Sequence, residues 1–243
     1  MTEDPKTADQ PAREFVVDPR MVTFHDPHGY HAEQYRSFRT NLRAMNPTQE
    51  SRSLLFTSAA PDEGKSVTTA NVAMSLAESG NLEVLIVDSD LRNPRQHSLL
   101  GLDRGPGLSD ILLDGKSPAD VIQATVSDHL SLLPAGKEVE SPGEAMGSDY
   151  MGNLIAWFKR RYQYILFDTP PCLTFAEAPD LSRLMDGCIL VVALEGTTRI
   201  EADQALEVIA TAGGNVVGSF VTGSDSHEAL HMDGEEDPDD ISS

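Results

Sequence analysis

Short, uninterrupted apolar runs recur along this chain, each followed by a polar or glycine-bearing break and then by a stretch with helical spacing. The strand signal falls on Leu54 to Thr57, Val84-Leu85-Ile86-Val87, Leu130 to Leu133, Tyr164-Ile165-Leu166-Phe167, Cys188 to Leu194 and Asn215 to Val221. Continuous apolar runs, rather than alternating ones, are what strands buried on both faces require. Helices are expected over Val67 to Glu78, where Gly80-Asn81 breaks the pattern, over Met146 to Arg161 and over Ile200 to Ala212. Leu108 to Leu113 and Pro118 to Ala124 read as two shorter ones. Strands separated by helices of this length predict an α/β fold, a mostly parallel sheet covered by helices on both faces. In such sheets ligands bind outside the carboxyl ends of the strands, so chemistry is expected there.

The two ends of the chain depart from this pattern. Residues 1–15 are polar with two prolines, and 226–243 include the acidic block Glu235-Glu236-Asp237-Pro238-Asp239-Asp240. Neither has enough apolar area to offset the entropy of ordering. The expected organisation is a disordered segment over 1–19, one domain over 20–225 and a disordered acidic tail over 226–243.

Charge narrows the partners. Eighteen Lys and Arg stand against 39 Asp and Glu among 243 residues, a formal net charge of −21. Nucleic acid and anionic membrane surfaces both repel such a chain, so no nucleic-acid partner is expected. The basic cluster Lys159-Arg160-Arg161 falls late in a helical stretch, where cations suit the helix dipole. Two cysteines, Cys172 and Cys188, form neither a disulfide framework nor a zinc spacing, which fits a reducing cytosol. Met1 to Glu14 has no apolar core, and the longest apolar run, Cys188 to Leu194, is too short to cross a bilayer. A cytoplasmic location is expected, with no direct membrane insertion and any membrane association made through a partner.

Three strand ends carry chemistry. After the first apolar run comes Ala59-Ala60-Pro61-Asp62-Glu63-Gly64-Lys65-Ser66, and a helical stretch follows. This strand, loop and helix order is what a phosphate-binding loop needs. Its backbone N–H groups cradle phosphate oxygens, and the helix N-terminus adds partial positive charge at the same spot. The cradle spans Ala60, Pro61, Asp62, Glu63, Gly64, Lys65, Ser66 and Val67, with Lys65 on the β- and γ-phosphates and the Ser66 hydroxyl on Mg²⁺. The strict pattern opens with Gly where this chain has Ala59. The second end is Asp88-Ser89-Asp90-Leu91-Arg92-Asn93-Pro94, and the third is Asp168-Thr169-Pro170-Pro171. Carboxylates beside a phosphate loop hold Mg²⁺ or its waters, or accept a proton from an attacking hydroxyl. Asp88 and Asp90, two apart, share a face if the strand persists that far. Pro170-Pro171 stiffens a switch segment or simply ends the strand. His97 reads as a packing or turn residue.

With these motifs in view, the chain resembles the bacterial tyrosine kinases of capsule and exopolysaccharide systems, the stand-alone cytoplasmic CpsD/CapB type, over roughly residues 20–223. Walker A matches Ala59 to Ser66, Walker A′ matches Val84 to Arg92, and Walker B matches Ile165 to Pro171. A further segment, Glu33-Gln34-Tyr35-Arg36-Ser37-Phe38-Arg39-Thr40-Asn41-Leu42, matches E-x-x-R-x-x-R-T-N-L, independently of the nucleotide loop. The resemblance implies a P-loop NTPase fold and an ATP- and Mg²⁺-dependent protein-tyrosine kinase regulating polysaccharide synthesis and export. It implies Lys65, Asp88, Asp90 and Asp168 as the catalytic set, with Ser66, Asp88 and Asp168 at the metal and either Asp88 or Asp90 accepting the tyrosine proton. A helix over about 31–44 would use Glu33, Arg36 and Arg39 to join neighbouring subunits in a ring. A membrane-embedded polysaccharide co-polymerase would be the activating partner, bringing the protein to the inner membrane. Arg92 is a candidate arginine acting at the nucleotide across a subunit boundary, or else a structural ion pair.

Three departures from the family pattern stand out. The sequence has no tyrosine after Tyr164, so the family's tyrosine-rich tail is missing; the tyrosines are Tyr30, Tyr35, Tyr150, Tyr162 and Tyr164. Thr222 occupies the place of an asparagine that helps bind adenine, and it lacks the amide's paired donor and acceptor. Asp62 replaces a common loop glycine, at a place where a positive φ would strain most side chains. An alternative reading is a regulatory ATPase of the co-polymerase with no kinase output. A third, ranked below both, is a ParA/MinD-type ATPase, whose extra loop lysine is here Ala60.

Overall fold

The computed structural model describes residues 15–146 and 150–223. Two N-terminal helices, α1 (Val22–His25) and α2 (Tyr30–Ala44), precede β1 (Arg52–Ser58), α3 (Lys65–Ala77) and β2 (Val84–Asp88). Three short helices follow, α4 (Gln96–Leu99), α5 (Leu108–Asp114) and α6 (Pro118–Val121), then β3 (Gln123–Ala124) and β4 (Leu130–Leu133). The chain continues through α7 (Pro142–Met146), α8 (Tyr150–Lys159), β5 (Tyr164–Asp168), α9 (Glu177–Ser182), β6 (Gly187–Ala193), α10 (Arg199–Thr211) and β7 (Val216–Thr222). The seven strands form one sheet in the order β3-β4-β2-β5-β1-β6-β7. All neighbours are parallel except the β3–β4 pair at one edge.

The continuous apolar runs have a direct structural meaning. Successive strand residues point to opposite faces, so each run feeds two cores. Leu55, Leu85, Val87, Ile165 and Phe167 enter one core, against Phe158 of α8 and Leu181 of α9. Their neighbours Leu54, Phe56, Val84, Ile86 and Leu166 enter the other, against Ala73 and Leu76 of α3. Each fully buried aromatic or aliphatic side chain contributes about 1.5–3 kcal/mol, so β1, β2 and β5 are fixed from both sides. Helix α3 is buried at nearly every position from Ser66 to Ala77 because α2 covers it. Its Ala70, Ala73, Ser75 and Ala77 are small, as close helix packing requires. Tyr35 of α2 stacks on Phe220 of β7 at 5.0 Å and Phe38 meets the same ring edge-on at 5.3 Å, tying α2 to the sheet edge.

Several expectations change. Residues 118–124 are not one helix: α6 stops at Val121, and Gln123–Ala124 pair antiparallel with β4. Pro118 suits the first turn, but Ile122 is already extended at ψ 131°. The expected Met146 to Arg161 helix is described as α7 and α8, with 147–149 outside the described residues. The short helices α1, α4 and α9 carry too little periodic pattern to be read from sequence. Residues 15–19 fall in the segment expected to be disordered, yet Val17 is buried in the α3-side core, Phe15 packs against that core, and the Asp18 N–H donates to the Leu99 carbonyl at 3.0 Å. Phe15 and Val17 supply the apolar area that the preceding residues lack. Residues 1–14 and the expected acidic tail lie outside the described residues. Among the described residues no helix is long and apolar enough to cross a membrane.

Candidate nucleotide site

The phosphate-type loop runs from Ala59, directly after β1, to Gly64, the N-cap of α3. Gly64 sits at φ 84°, and a Cβ there would approach the Thr222 methyl at 3.3 Å. Glycine is therefore required for its conformation and for the close pass of β7. Asp62 adopts φ 60°, as the loop pattern implied. Left-handed backbone costs an ordinary L-residue roughly 1–2 kcal/mol, and less for Asp, whereas glycine loses about 0.5–1 kcal/mol more chain entropy on folding. Asp62→Gly is accordingly expected to change stability by less than about 1 kcal/mol, while Asp62→Val loses about 1–2 kcal/mol; urea unfolding of both variants measures the difference.

The loop is braced by side chains. Glu63 is buried; its Oε2 accepts the Ala60 N–H at 3.1 Å, and its Oε1 accepts the Thr197 hydroxyl. The Thr222 hydroxyl donates to the Glu63 carbonyl at 2.9 Å. Glu63 thus closes the loop on itself and anchors it to the segment after β6 and to the end of β7. Motif reading assigns Glu63 to the cradle but not this bracing, because Thr197 and Thr222 lie far along the chain.

Below the loop three carboxylates meet. The β2–β5 register sets Asp88 directly opposite Asp168, and both are fully buried. Lys65 Nζ donates to Asp90 Oδ2 at 3.1 Å, and Asp90 Oδ1 accepts the Asn93 N–H at 3.0 Å. Asp88 Oδ2 accepts the N–H groups of Arg95 and Gln96 at 3.1 and 3.0 Å. Asp168 Oδ2 accepts Gln96 Nε2 at 2.8 Å, and the nearby Ser66 hydroxyl favours its charged form. The other oxygen of each acid, Asp88 Oδ1 and Asp168 Oδ1, is buried with no hydrogen-bond partner.

Burial, and then the charge of Asp168, push Asp88 well above the usual carboxylate range. Burial also raises Asp168, but Lys65, the hydrogen bond from Gln96 and the Ser66 hydroxyl oppose it. Burial works against the Lys65 ammonium, yet Asp168, Asp90 and Asp88 outweigh it and hold lysine above its ordinary range.

Gln96 is the residue that sequence reading misses. Its Nε2 bridges the Ser66 carbonyl, at 3.0 Å, and Asp168, while its backbone binds Asp88. One residue, through its side chain and its backbone N–H, therefore sets the spacing between α3, β2 and β5, and no local motif marks it. Arg92 forms an ion pair within this chain: Nε and Nη2 reach Glu177 Oε1 at 2.9 and 2.7 Å, and the guanidinium lies 4.4 Å from the Phe175 ring centre.

Two cavities flank Lys65. One of about 110 Å³ is lined by Arg20, Gly64, Ser66, Asn93 and Arg95. The other, about 260 Å³, is lined by Pro61, Asp90, Arg92, Pro171 and Phe175. A third, about 320 Å³, shares Arg20 and Val67 with the first and extends over Val22, Tyr30, Tyr35, Phe220 and Thr222. The cleft therefore runs from a cationic, amide-rich end to an apolar one, the layout of a site for an amphiphilic small molecule. Glu33, Arg36 and Arg39 lie apart from it on α2. Arg36 and Arg39 bind Glu78 at 3.3 and 3.4 Å, at the far end of α3 from the loop, a helix length of about 20 Å.

Among the described residues no cluster of three or more His, Cys, Asp or Glu forms a metal cage. A small hard cation that keeps most of its waters needs only one or two protein carboxylates and a hydroxyl. The unpartnered Asp88 and Asp168 oxygens beside Ser66 are such a donor set.

A protein-family model described as an AAA domain matches residues 62–208. The tyrosine-protein kinase YwqD of Bacillus subtilis is 34% identical over 203 residues, 84% of this chain and 85% of that protein. The kinase domain of the Escherichia coli tyrosine kinase ETK superposes with a TM-score of 0.81 at 28% identity, covering 90% of this chain and 84% of that one. The chimerical protein CapA2B2 does so with a TM-score of 0.78 at 30% identity, over 83% and 88% of the two chains. The cleft beneath the loop is a P-loop nucleotide site, and the chain belongs to the bacterial tyrosine-protein kinase family.

Proposed function

We propose that this protein is an ATP- and Mg²⁺-dependent protein-tyrosine kinase that regulates capsule or exopolysaccharide synthesis and export. The observation that carries the reading is the convergence of Lys65, Asp88, Asp90 and Asp168 under the loop, with one oxygen of Asp88 and one of Asp168 left without a partner. Residues 62–67 bind the phosphates through their N–H groups and the α3 N-terminus, with Pro61 and the Glu63-bound Ala60 shaping the loop. Lys65 neutralises charge on the β- and γ-phosphates. Ser66, Asp88 and Asp168 hold the Mg²⁺ ion, which supplies further charge neutralisation when bound. Asp90, already hydrogen-bonded to Lys65, or Asp88 accepts the tyrosine proton. The apolar end of the cleft takes the adenine, with Thr222 at its edge. Phosphoryl transfer of this kind is mostly positioning and electrostatics, which a rigid, buried acid cluster provides.

The same reading places the protein in the cytoplasm as a homo-oligomeric ring joined through the α2 face bearing Glu33, Arg36 and Arg39. It is held at the membrane by an embedded polysaccharide co-polymerase. A regulatory ATPase without kinase output would use the same cleft and differs only in the acceptor. Purified protein given ATP, Mg²⁺ and a Glu-Tyr copolymer separates the two. Phosphotyrosine is expected on the copolymer, lost on adding EDTA and restored by excess Mg²⁺. ATP hydrolysis that leaves no phosphotyrosine on chain or copolymer would overturn the kinase assignment in favour of the ATPase.

A further inference from the structure

The 243 residues hold five tyrosines, and the structure separates them sharply by access. Tyr164 is 3% exposed within β5, and Tyr35 is packed against Phe220. Tyr30 and Tyr162 are half-buried, Tyr30 in the wall of the apolar end of the nucleotide cleft. Tyr150 alone is in the exposed class, at 44%. A phosphoryl acceptor must bring its hydroxyl into line with the γ-phosphate, so access decides first.

Charge points the same way. The described stretch before Tyr150 carries Glu138, Glu140 and Glu144 and no basic residue over 138–146. Glu138, Glu140 and Glu144 are exposed. The cavity in front of Asp90 is lined by Lys65, Arg92, Arg95 and Asp62; Lys65 is paired with Asp90 and Arg92 with Glu177, so the exposed Arg95 is the cation this mouth offers to a partner. An acidic segment that presents a tyrosine is complementary to that mouth, and like-charge surfaces would be repelled from it. Helix α8 is fixed to its own core through Met151 and Leu154, both buried, so its first residue is presented outward to another molecule.

Resting on the kinase reading above, we infer that Tyr150 is the self-phosphorylation site of this protein, and that a second copy of the chain modifies it. In the step, the Tyr150 oxygen forms a bond to the γ-phosphorus of ATP as the bond to the ADP oxygen breaks. The phenolic proton passes to a cleft carboxylate and then to water, leaving ADP and phosphotyrosine.

The test incubates the full chain with ATP and Mg²⁺, with the Glu-Tyr copolymer as a parallel acceptor, and maps phosphate by mass spectrometry. Phosphate is expected on Tyr150, and Tyr150→Phe is expected to lose most self-phosphorylation while labelling the copolymer as fast as the parent. Mixing active Tyr150→Phe chain with inactive Lys65→Ala chain is expected to label Tyr150 of the latter. Copolymer labelled while Tyr150 stays bare, or self-phosphorylation centred on Tyr30 or Tyr162, would overturn this site and leave the kinase reading standing. Absence of label in the mixed-chain experiment would overturn modification between copies. Absence of phosphotyrosine on both chain and copolymer would bring down the kinase reading itself, and this site with it.

Discussion

Lys65→Ala is expected to lower phosphotyrosine formation by at least about 10²–10³-fold, the range seen when one preorganised charge stabiliser is removed from an active site. Lys65 is only 12% exposed at its side chain, so its ammonium acts in a poorly solvated cleft where each charge counts for more than in water. It is also the nearest counter-charge to the acid cluster. Its removal leaves Asp90 without its 3.1 Å donor and takes from Asp168 the strongest influence opposing burial. Asp88 and Asp168, which Lys65 helps to keep charged, respond by holding protons more tightly, which limits structural damage, so the variant should keep its native circular dichroism spectrum. Nucleotide binding by titration calorimetry and copolymer phosphorylation in parallel distinguish lost affinity from lost transfer. A Lys65→Ala chain that phosphorylates within a factor of about ten of the parent would contradict the role given to this ammonium.

Asp88→Asn is expected to do two opposite things, stabilising the ligand-free protein at neutral pH while abolishing transfer. Asp88 is fully buried, stands opposite Asp168 and has one oxygen without a partner. An asparagine oxygen still accepts the Arg95 and Gln96 N–H groups, and no charge is left to desolvate. Removing a buried charge without a counter-ion in contact removes its desolvation cost. The pH dependence follows from the direction of the shift. With its pKa raised in the folded state, Asp88 binds more proton folded than unfolded, so stability falls as pH rises from the ordinary carboxylate range through the raised folded value. Asp88→Asn should flatten that decline. Adding ATP and Mg²⁺ should reverse the order, because only the parent chain gains the ligand's stabilisation. Thermal melts across pH, with and without Mg·ATP, read both effects. A ligand-free variant that melts below the parent at neutral pH with an unaltered pH slope would refute the account.

What sequence reveals here depends on whether a residue acts near its neighbours in the chain. Gly64, Lys65 and Ser66 are legible because strand, loop and helix are contiguous. Asp88 and Asp168 are legible because each ends an apolar run, and parallel pairing then places them side by side. Asp62 at φ 60° confirms a strain that the loop pattern alone implied. Gln96, the Thr197 contact to Glu63 and the Glu177 partner of Arg92 were not legible. Each works across a separation of 72, 134 or 85 residues that only the folded sheet closes. The misplaced elements have local causes. Pro118 marks a helix start but not its stop at Val121, and the polar look of residues 1–19 hides the two apolar side chains, Phe15 and Val17, that dock on the core.

The hydroxyl of Thr222 reaches back 159 positions to steady the Glu63 carbonyl. Because synthesis proceeds from the N-terminus, a growing chain carries its whole Walker segment long before the last strand leaves the ribosome. Its nucleotide cup therefore takes its finished shape only when the sheet's final edge has been added.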